Sequence, residues 1–301
     1  MKVAVAGGSG LLGSAIIPHL ESRGHRVLQL VRREVKDPQR EIRWSPSGGT
    51  IDTAAMEGVE VVINLSGENL GSGLWSKERK ARILNSRIDS TSLLATTMAA
   101  TEPKPKLLLS ASAVGYYGNT GESVVDERSP SGDTFLAEVC RQWEAATSAA
   151  AEAGIRVVKF RLGVVLSTAG GMIQKVLPLF KLGLGGKLGD GRQYISWVTP
   201  EDVARGMEFF ISHESIAGPI NLATPGPVTN AEFTDALGRA LHRPTWLRAP
   251  EFMLRAVMGQ MADEMLLASN RAIPGKLAEA GFKFKHPVIR EALAAVLARN
   301  D

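Results

Sequence analysis

The 301-residue sequence contains one cysteine, Cys140, which excludes an internal disulfide and any cysteine-built metal cage. No cluster of histidine, cysteine and acidic residues has metal-ligand spacing, so no metal is expected. Long apolar runs are missing too. None approaches the roughly 20 residues needed to cross a bilayer, and the N-terminus reads as a strand rather than the charged-then-apolar pattern of a secretory leader. A cytoplasmic protein is expected, with a small molecule as its partner and neither membrane nor nucleic acid. The net charge of +4 arises from 35 basic residues scattered among 31 acidic ones, the pattern of a solvated surface. Tyrosine is scarce: there are three, and two of them are neighbours, Tyr116 and Tyr117. Apolar residues make up 44 % of the chain, ample for a large α/β core in a monomer or homodimer.

What is present begins at the first thirteen residues, MKVAVAGGSGLLG. Val3 to Ala6 has the composition of a strand buried on both faces of a parallel sheet. Gly7, Gly10 and Gly13 follow at every third position, and from Leu11 the residues Leu12, Ala15, Ile16, His19 and Leu20 share one helical face. A strand, a glycine turn and a helix start form a backbone anion site. Pyrophosphate can approach N–H groups around Gly7, Ser9, Gly10, Leu11 and Leu12, and Gly13 lets helix and strand pack closely.

Further along, His25 to Val31 reads as a second buried strand ending in Arg32 and Arg33. In a dinucleotide fold this strand end faces the adenosine ribose, where an acidic residue suits a free 2′-hydroxyl and arginine suits a 2′-phosphate. NADP(H) is therefore expected over NAD(H). Glu41 to Ile51 reads as a hairpin turning through Ser47, Gly48 and Gly49, and Val59 to Leu65 as a buried strand broken by Ser66 and Gly67 at its ligand-facing end. Asn64 reads as a structural hydrogen-bonder. Ser76 to Ala100 is the longest helical stretch, with a basic early part. Lys106 to Ser112 is another buried strand, followed by Gly115, Tyr116, Tyr117 and Gly118.

These residues resemble the extended short-chain dehydrogenase/reductase superfamily. The segments Asn64-Leu-Ser-Gly-Glu-Asn69, Ser86-Arg-Ile88, Gly115-Tyr-Tyr-Gly118, Phe135-Leu-Ala-Glu-Val-Cys140 and Trp143-Glu144 are similar to its atypical, epimerase-like branch. Gly259-Gln-Met-Ala-Asp263, Ile273-Pro274 and Gly281-Phe-Lys-Phe284 resemble the small terminal domain, of unknown function, that accompanies the branch. The resemblance covers essentially the whole chain. It implies an α/β Rossmann-type doubly wound parallel sheet over residues 1–243, with substrate elements mainly within 167–243, and a small helical C-terminal domain over 244–301. It also implies cofactor contacts at Leu65, Ser66, Gly67, Arg87, Ser110 and Val164.

The superfamily's proton relay is a Tyr-x-x-x-Lys pair on the helix after the serine strand, with a serine that polarises the substrate oxygen. Here Leu136 and Cys140 fall at the two positions, and Arg87 falls where the long helix carries an asparagine. Of the usual set only Ser112 remains, and Tyr116 and Tyr117 are the nearest candidates to handle the proton. Cys140 reads as a packing residue rather than a nucleophile. Two functions stay open: an oxidoreductase or nucleotide-sugar epimerase-like enzyme on a small polar substrate, or a non-catalytic NADP(H)-binding regulator or sensor.

The remaining expectations are a strand at Ile155 to Leu162, a helix from about Met172 to Lys181, and a glycine-rich loop from Gly183 to Gly191, either mobile or a plain connection. A single strand is expected at Gln193 to Val198, and a helix from Pro200. The C-terminal lobe is expected around Trp246, Phe252, Met253, Leu254 and Met258, with Met261, Met265 and Leu266 as core.

Overall fold

The computed structural model describes residues 1–298. In chain order, β1 (Lys2–Ala6) leads to α1 (Gly13–Ser22), β2 (Arg26–Val31), β3 (Glu41–Ser45), β4 (Thr50–Ile51), β5 (Val61–Asn64) and the long α2 (Lys77–Ala100). Then come β6 (Leu107–Ala113), β7 (Val124–Val125), α3 (Phe135–Ala145), α4 (Ser148–Glu152), β8 (Arg156–Leu162), β9 (Val164–Val165) and α5 (Gly171–Lys181). The next stretch holds β10 (Gly186–Leu188), β11 (Tyr194–Ile195), β12 (Trp197–Val198), α6 (Pro200–Ser212), β13 (Gly218–Leu222), β14 (Val228–Thr229) and α7 (Asn230–Ala240). The tail contributes β15 (Leu247–Ala249), α8 (Glu251–Met258), α9 (Gln260–Ala262), β16 (Arg271–Ala272), α10 (Gly275–Glu279) and α11 (Ile289–Ala298).

The main sheet has the order β13-β8-β6-β5-β1-β2-β3-β4, parallel except for the β3–β4 hairpin. β1 lies between β2 and β5, so the chain reverses direction across the sheet at β1; this is the topological switch point, where doubly wound folds bind ligands. Alternate residues of the strands point into two apolar layers. Val3, Val5, Ile63 and Leu109 pack on one face with Ile16 and Leu20 of α1 and Met207 and Phe210 of α6. Ala4, Ala6, Leu30 and Val62 pack on the other with Leu94 and Met98 of α2. Burial on both faces explains why these strands are apolar without alternation.

Local chemistry sets the helix starts. The Ser76 hydroxyl accepts from the Arg79 N–H at 3.2 Å, Thr199 caps α6 ahead of Pro200, and Thr229 with Glu232 forms a reciprocal capping box on α7. The helix expected after the serine strand is two helices, α3 and α4, separated at Ala146 and Thr147.

Three regions differ from the sequence expectations. The Gly183–Gly191 stretch is structured: β10 pairs in parallel with β15, and a Cβ on Gly186 would lie 2.1 Å from the Leu247 carbonyl oxygen. That glycine permits close strand approach rather than mobility. The strand expected at Gln193–Val198 is two strands in different pairs, β11 with β14 and β12 with β9. Between them Ser196 turns inward, its hydroxyl donating to the Asn270 carbonyl and accepting from the Ala272 N–H, both at 2.8 Å.

The tail differs most. It is helical only in part, since it also holds β15 and β16, and β16 pairs with β7. Leu277 and Phe282 join the same core as Val3, and Leu293 of α11 packs with Phe233 and Leu237 of α7. The residues expected at its centre lie outside: Trp246 is 91 % and Phe252 70 % exposed, Met253 is exposed, and Leu254 and Met258 are half-buried. None of the residues of α8 is fully buried. Of the three residues expected as core, Met261 is buried, Met265 exposed and Leu266 half-buried.

Candidate functional site

At the end of β1 the chain turns through Gly7, whose φ of +79° suits a residue without a side chain. A Cβ there would meet the Leu65 backbone at 3.0 Å. A Cβ on Gly13 would lie 2.2 Å from the Gly8 carbonyl oxygen, so α1 can start against the turn only as glycine. The Gly10 N–H closes the turn on the Gly7 carbonyl at 3.0 Å, and Ser9 is exposed at its tip. The N–H groups of Leu11 and Leu12 have no acceptor among the described residues. Two unengaged donors at a helix start above bare glycines fit a pyrophosphate. The Leu11 side chain lies against Gly170 and lines a cavity of about 230 Å³ shared with Thr168, Thr199 and His286.

The two arginines after β2 have different fates. Arg33 is engaged by Glu41 through both carboxylate oxygens, one of them at 2.9 Å. The Arg33 guanidinium, helped by the Lys36 N–H, holds the Glu41 carboxyl down to about 2. Arg33, expected as a cofactor contact, forms an ion pair with Glu41 in this structure. Arg32 is exposed, and its guanidinium has no partner among the described residues. Beside it stands a third arginine that sequence reasoning missed. Arg43 on β3 pairs in register with Val31, and its guanidinium donates to the Arg32 carbonyl. Only the strand register reveals it.

Where β5 ends, Asn64 is fully buried and structural: its amide donates to the Thr91 hydroxyl at 2.8 Å, and its carbonyl accepts from the Ser66 N–H at 3.0 Å. The Trp143 indole donates to the same Thr91 oxygen at 3.0 Å. Leu65 and Ser66 are half-buried, and Gly67 is exposed. A Cβ on Gly67 would sit 3.1 Å from the Arg87 guanidinium carbon. Arg87 is buried; its guanidinium donates to the Ile83 carbonyl at 2.8 Å and to the Glu68 carbonyl at 3.2 Å. Val164, in β9, is half-buried.

The ends of β6 and β8 carry a closed polar chain. Ser110 is buried, its hydroxyl 3.5 Å from the Ala111 carbonyl. Ser112 is 1 % exposed and donates its hydroxyl proton to Glu144 at 2.8 Å. Glu144 receives Arg161 through two bonds of 2.7 and 2.9 Å. Arg161 donates onward to the Tyr117 hydroxyl at 2.9 Å, which donates to Asn221 at 2.7 Å. Glu127 accepts the Asn221 N–H at 2.9 Å and completes the run. Burial opposes the Arg161 charge, but the bidentate Glu144 carboxylate outweighs it and keeps the guanidinium protonated.

This chain engages two of the residues expected to be catalytic. Tyr117 is 4 % exposed, its hydroxyl both donates and accepts, and burial pushes its phenol up to about 12. Both hydrogen-bonding sides of that hydroxyl are thus taken up within the polar chain. Ser112, with its proton on Glu144, offers lone pairs rather than a donor to polarise a carbonyl. Tyr116 remains: it is half-buried, its ring stacks 3.4 Å from the Arg161 guanidinium, and its hydroxyl has no partner among the described residues. Cys140 is buried, and burial with nearby Glu144 pushes its thiol up to about 11, as fits a packing residue.

Sequence reasoning named Glu144 only as part of the Trp143-Glu144 segment, without a role, and missed Arg161 and Glu264. An arginine inside the apolar run IRVVKFRL was the available signal for Arg161. Glu264 gives no local signal: from the tail it accepts the Phe135 and Leu136 N–H groups at 3.2 and 2.8 Å, capping α3 beside Leu136.

The model of the NAD dependent epimerase/dehydratase family matches residues 3–223, and that of a domain of unknown function, DUF1731, matches residues 249–296. An epimerase family protein of Mycobacterium leprae is 48 % identical over 99 % of this chain and 96 % of its own length. The crystal structure of the human epimerase family protein SDR39U1 with NADPH superposes with a TM-score of 0.90 at 31 % identity, covering 99 % of each chain. A nucleoside-diphosphate sugar epimerase of Corynebacterium glutamicum gives 0.83 at 36 % identity, covering 99 % of this chain and 58 % of that one.

Proposed function

The chain belongs to the NAD dependent epimerase/dehydratase family, and on that premise we propose that it is an NADP(H)-dependent oxidoreductase or epimerase-like enzyme on a small polar substrate, in the class of nucleotide-linked sugars. The observation that carries the cofactor reading is the pairing of unengaged Leu11 and Leu12 N–H groups at the glycine turn with the unneutralised Arg32 guanidinium at the end of β2. The first suits pyrophosphate and the second a 2′-phosphate. The human relative's NADPH supports the same choice.

When bound, the nicotinamide supplies hydride transfer at its C4 carbon. The remaining work belongs to the chain. Gly7 and Gly10 let the pyrophosphate reach backbone donors, and Arg32, with Arg43 beside it, holds the adenosine end. Ser112, as an acceptor, orients a ligand hydroxyl or amide N–H. Tyr116 moves the proton at its hydroxyl, over an Arg161 charge that offsets a developing phenolate.

The test is NADPH oxidation against a panel of carbonyls and sugar nucleotides, with Tyr116→Phe as the variant. Turnover in the parent and its loss by about 100-fold or more in Tyr116→Phe is expected, the low end of what a positioned proton donor contributes. Equal rates in the two proteins would remove Tyr116 from the mechanism. Arg32→Asp is expected to weaken NADPH far more than NADH; equal loss would count against the 2′-phosphate reading.

A second reading is favoured by one specific observation: Leu136 and Cys140 stand at the tyrosine and lysine positions, while Ser112 and Tyr117 are held in the buried polar chain. On that reading the protein binds NADP(H) and signals its redox state without turnover, and multiple turnovers with any compound would rule it out.

A further inference from the structure

We propose that the face built from the loop after α5, from β15 and from α8 docks on an anionic lipid surface, with its apolar side chains in the interface and its cations on the headgroup phosphates. The face lies outside the cofactor site and does not depend on the reading given above.

The first support is a concentration of exposed apolar side chains. Leu182 and Leu184 follow α5 at 73 % and 53 % exposure, and Trp246 and Leu247 stand at the start of β15, Trp246 almost wholly in solvent. On α8 the exposed positions Phe252, Met253, Ala256 and Val257 recur at helical spacing, so this helix turns an apolar stripe outward and pairs Glu251 with Arg255 at its side. These pieces adjoin. β10 pairs with β15, the Arg243 guanidinium donates to the Lys181 carbonyl at 2.8 Å, and a Cβ on Gly183 would lie 3.7 Å from Pro244. Single exposed leucines need no explanation, but a contiguous apolar patch with a polar rim marks an interaction site.

The second support is the sign of the rim. Lys181 and Lys187 bracket the two leucines, and Arg243 and Arg248 bracket Trp246 and Leu247; all four cations are exposed. The fold sets them side by side, since Arg243 reaches the Lys181 backbone and Lys187 is in register with Arg248. Like charges on paired strands repel, and none of the four forms an ion pair among the described residues. The carboxylates nearby in sequence are engaged elsewhere, Glu251 by Arg255 and Asp190 by the Arg192 N–H at 2.9 Å. Beside Trp246 a cavity of about 580 Å³ has Arg239, His242 and Arg243 on its wall, and the carboxylate there, Asp235, is held by Arg239 at 2.9 Å. Anionic headgroups would answer these charges.

The third support is the match between this pattern and its occupant. Tryptophan favours the boundary between water and hydrocarbon, and flanking lysine and arginine keep their charged ends among the phosphates while their stems lie along apolar surface. A second copy of the chain fits poorly, because two-fold pairing lays the same patch on itself and presses these cations together. No helix among the described residues is long and apolar enough to cross a membrane, so the contact is with the surface alone. The sequence expectation of no membrane partner rested on the lack of long apolar runs, which bears on crossing and not on docking.

The experiment is co-sedimentation of the full chain with vesicles of phosphatidylcholine alone and of equal parts phosphatidylcholine and phosphatidylglycerol. The parent should bind the mixed vesicles and not the neutral ones, and added salt should release it. Trp246→Glu should lower binding to the mixed vesicles about tenfold or more. Lys181→Ala with Arg243→Ala should lower it with the apolar face intact, by about fivefold for each charge removed. If Trp246→Glu loses the parent's circular dichroism, Phe252→Glu carries the same comparison with the same expected loss. Equal binding to the two kinds of vesicle, or parent-like binding by the glutamate variant, would overturn the proposal. With no vesicle binding at all the lipid reading fails: a dimer in sedimentation velocity that Trp246→Glu breaks would give the face to a second copy, and a monomer would give it to an acidic protein partner.

Discussion

The two ends of the cleft are built from opposite materials. At β1 the site is bare backbone: the glycine turn presents N–H groups, and its selectivity comes from side chains that are missing, as at Gly7 and Gly13. At β6 and β8 the site is all side chain, a buried run from Ser112 through Glu144, Arg161 and Tyr117 to Asn221 in which nearly every donor already has an acceptor. The backbone end stays open and waits for an anion. The side-chain end is saturated and leaves few groups for chemistry. On the proposed function, binding and turnover answer to different residues, and each can be damaged without the other.

Breaking the saturated end should have the largest effect. Arg161→Met or Glu144→Gln leaves a buried charge or its partner uncompensated, with an expected loss of about 3–5 kcal/mol in chemical denaturation. Replacing both, Glu144→Gln with Arg161→Met, should cost less than the sum of the singles, because the stranded charge disappears. Strictly additive losses would mean that the pair is not a unit. The open end should be less sensitive in stability and more so in binding. Gly13→Ala forces a Cβ against the Gly8 carbonyl, so a loss of about 1–3 kcal/mol is expected together with loss of NADPH binding in a fluorescence titration. Wild-type binding in Gly13→Ala would show that the turn is not the pyrophosphate site.

The smallest effect is optical. With the Tyr117 phenol raised to about 12 by burial, its tyrosinate absorbance should appear as a late step, and Tyr117→Phe should delete that step. A phenol raised in the fold stabilises the protein fully below the unfolded value of about 10, and that contribution is lost as pH climbs through the folded value. The parent should thus lose stability between about pH 10 and 12 more steeply than Tyr117→Phe. A Tyr117 that titrates at the unfolded value of about 10 would contradict its burial in the polar chain.

The open end was legible in the sequence because its causes are local. Gly7 to Gly13, the Ser76 cap and the Thr229–Glu232 box each act within a few residues, and so do the signals that mark them. The saturated end was not, because its partners meet only through the sheet. Arg161 finds Glu144 through the packing of α3 on β6 and β8, Tyr117 finds Asn221 104 residues away, and Glu264 reaches α3 across 128. The same distance effect hid the split of the Gln193–Val198 strand, which depends on Ser196 meeting residues of the tail. It also misplaced the tail's apolar residues: Trp246 and Phe252 look like core in sequence, yet Leu277 and Phe282 are the ones that reach the main core.

The Glu264 cap on α3 bears on the order in which the molecule is made. Phe135 and Leu136 leave the ribosome well before Glu264 exists, and Leu277 and Phe282 arrive later still to finish the core that Val3 begins. The nascent chain can lay down its first parallel strands early, but the cap on the helix beside the polar chain comes from a residue 128 positions later. Assembly of that end therefore waits on residues far downstream of the helix itself.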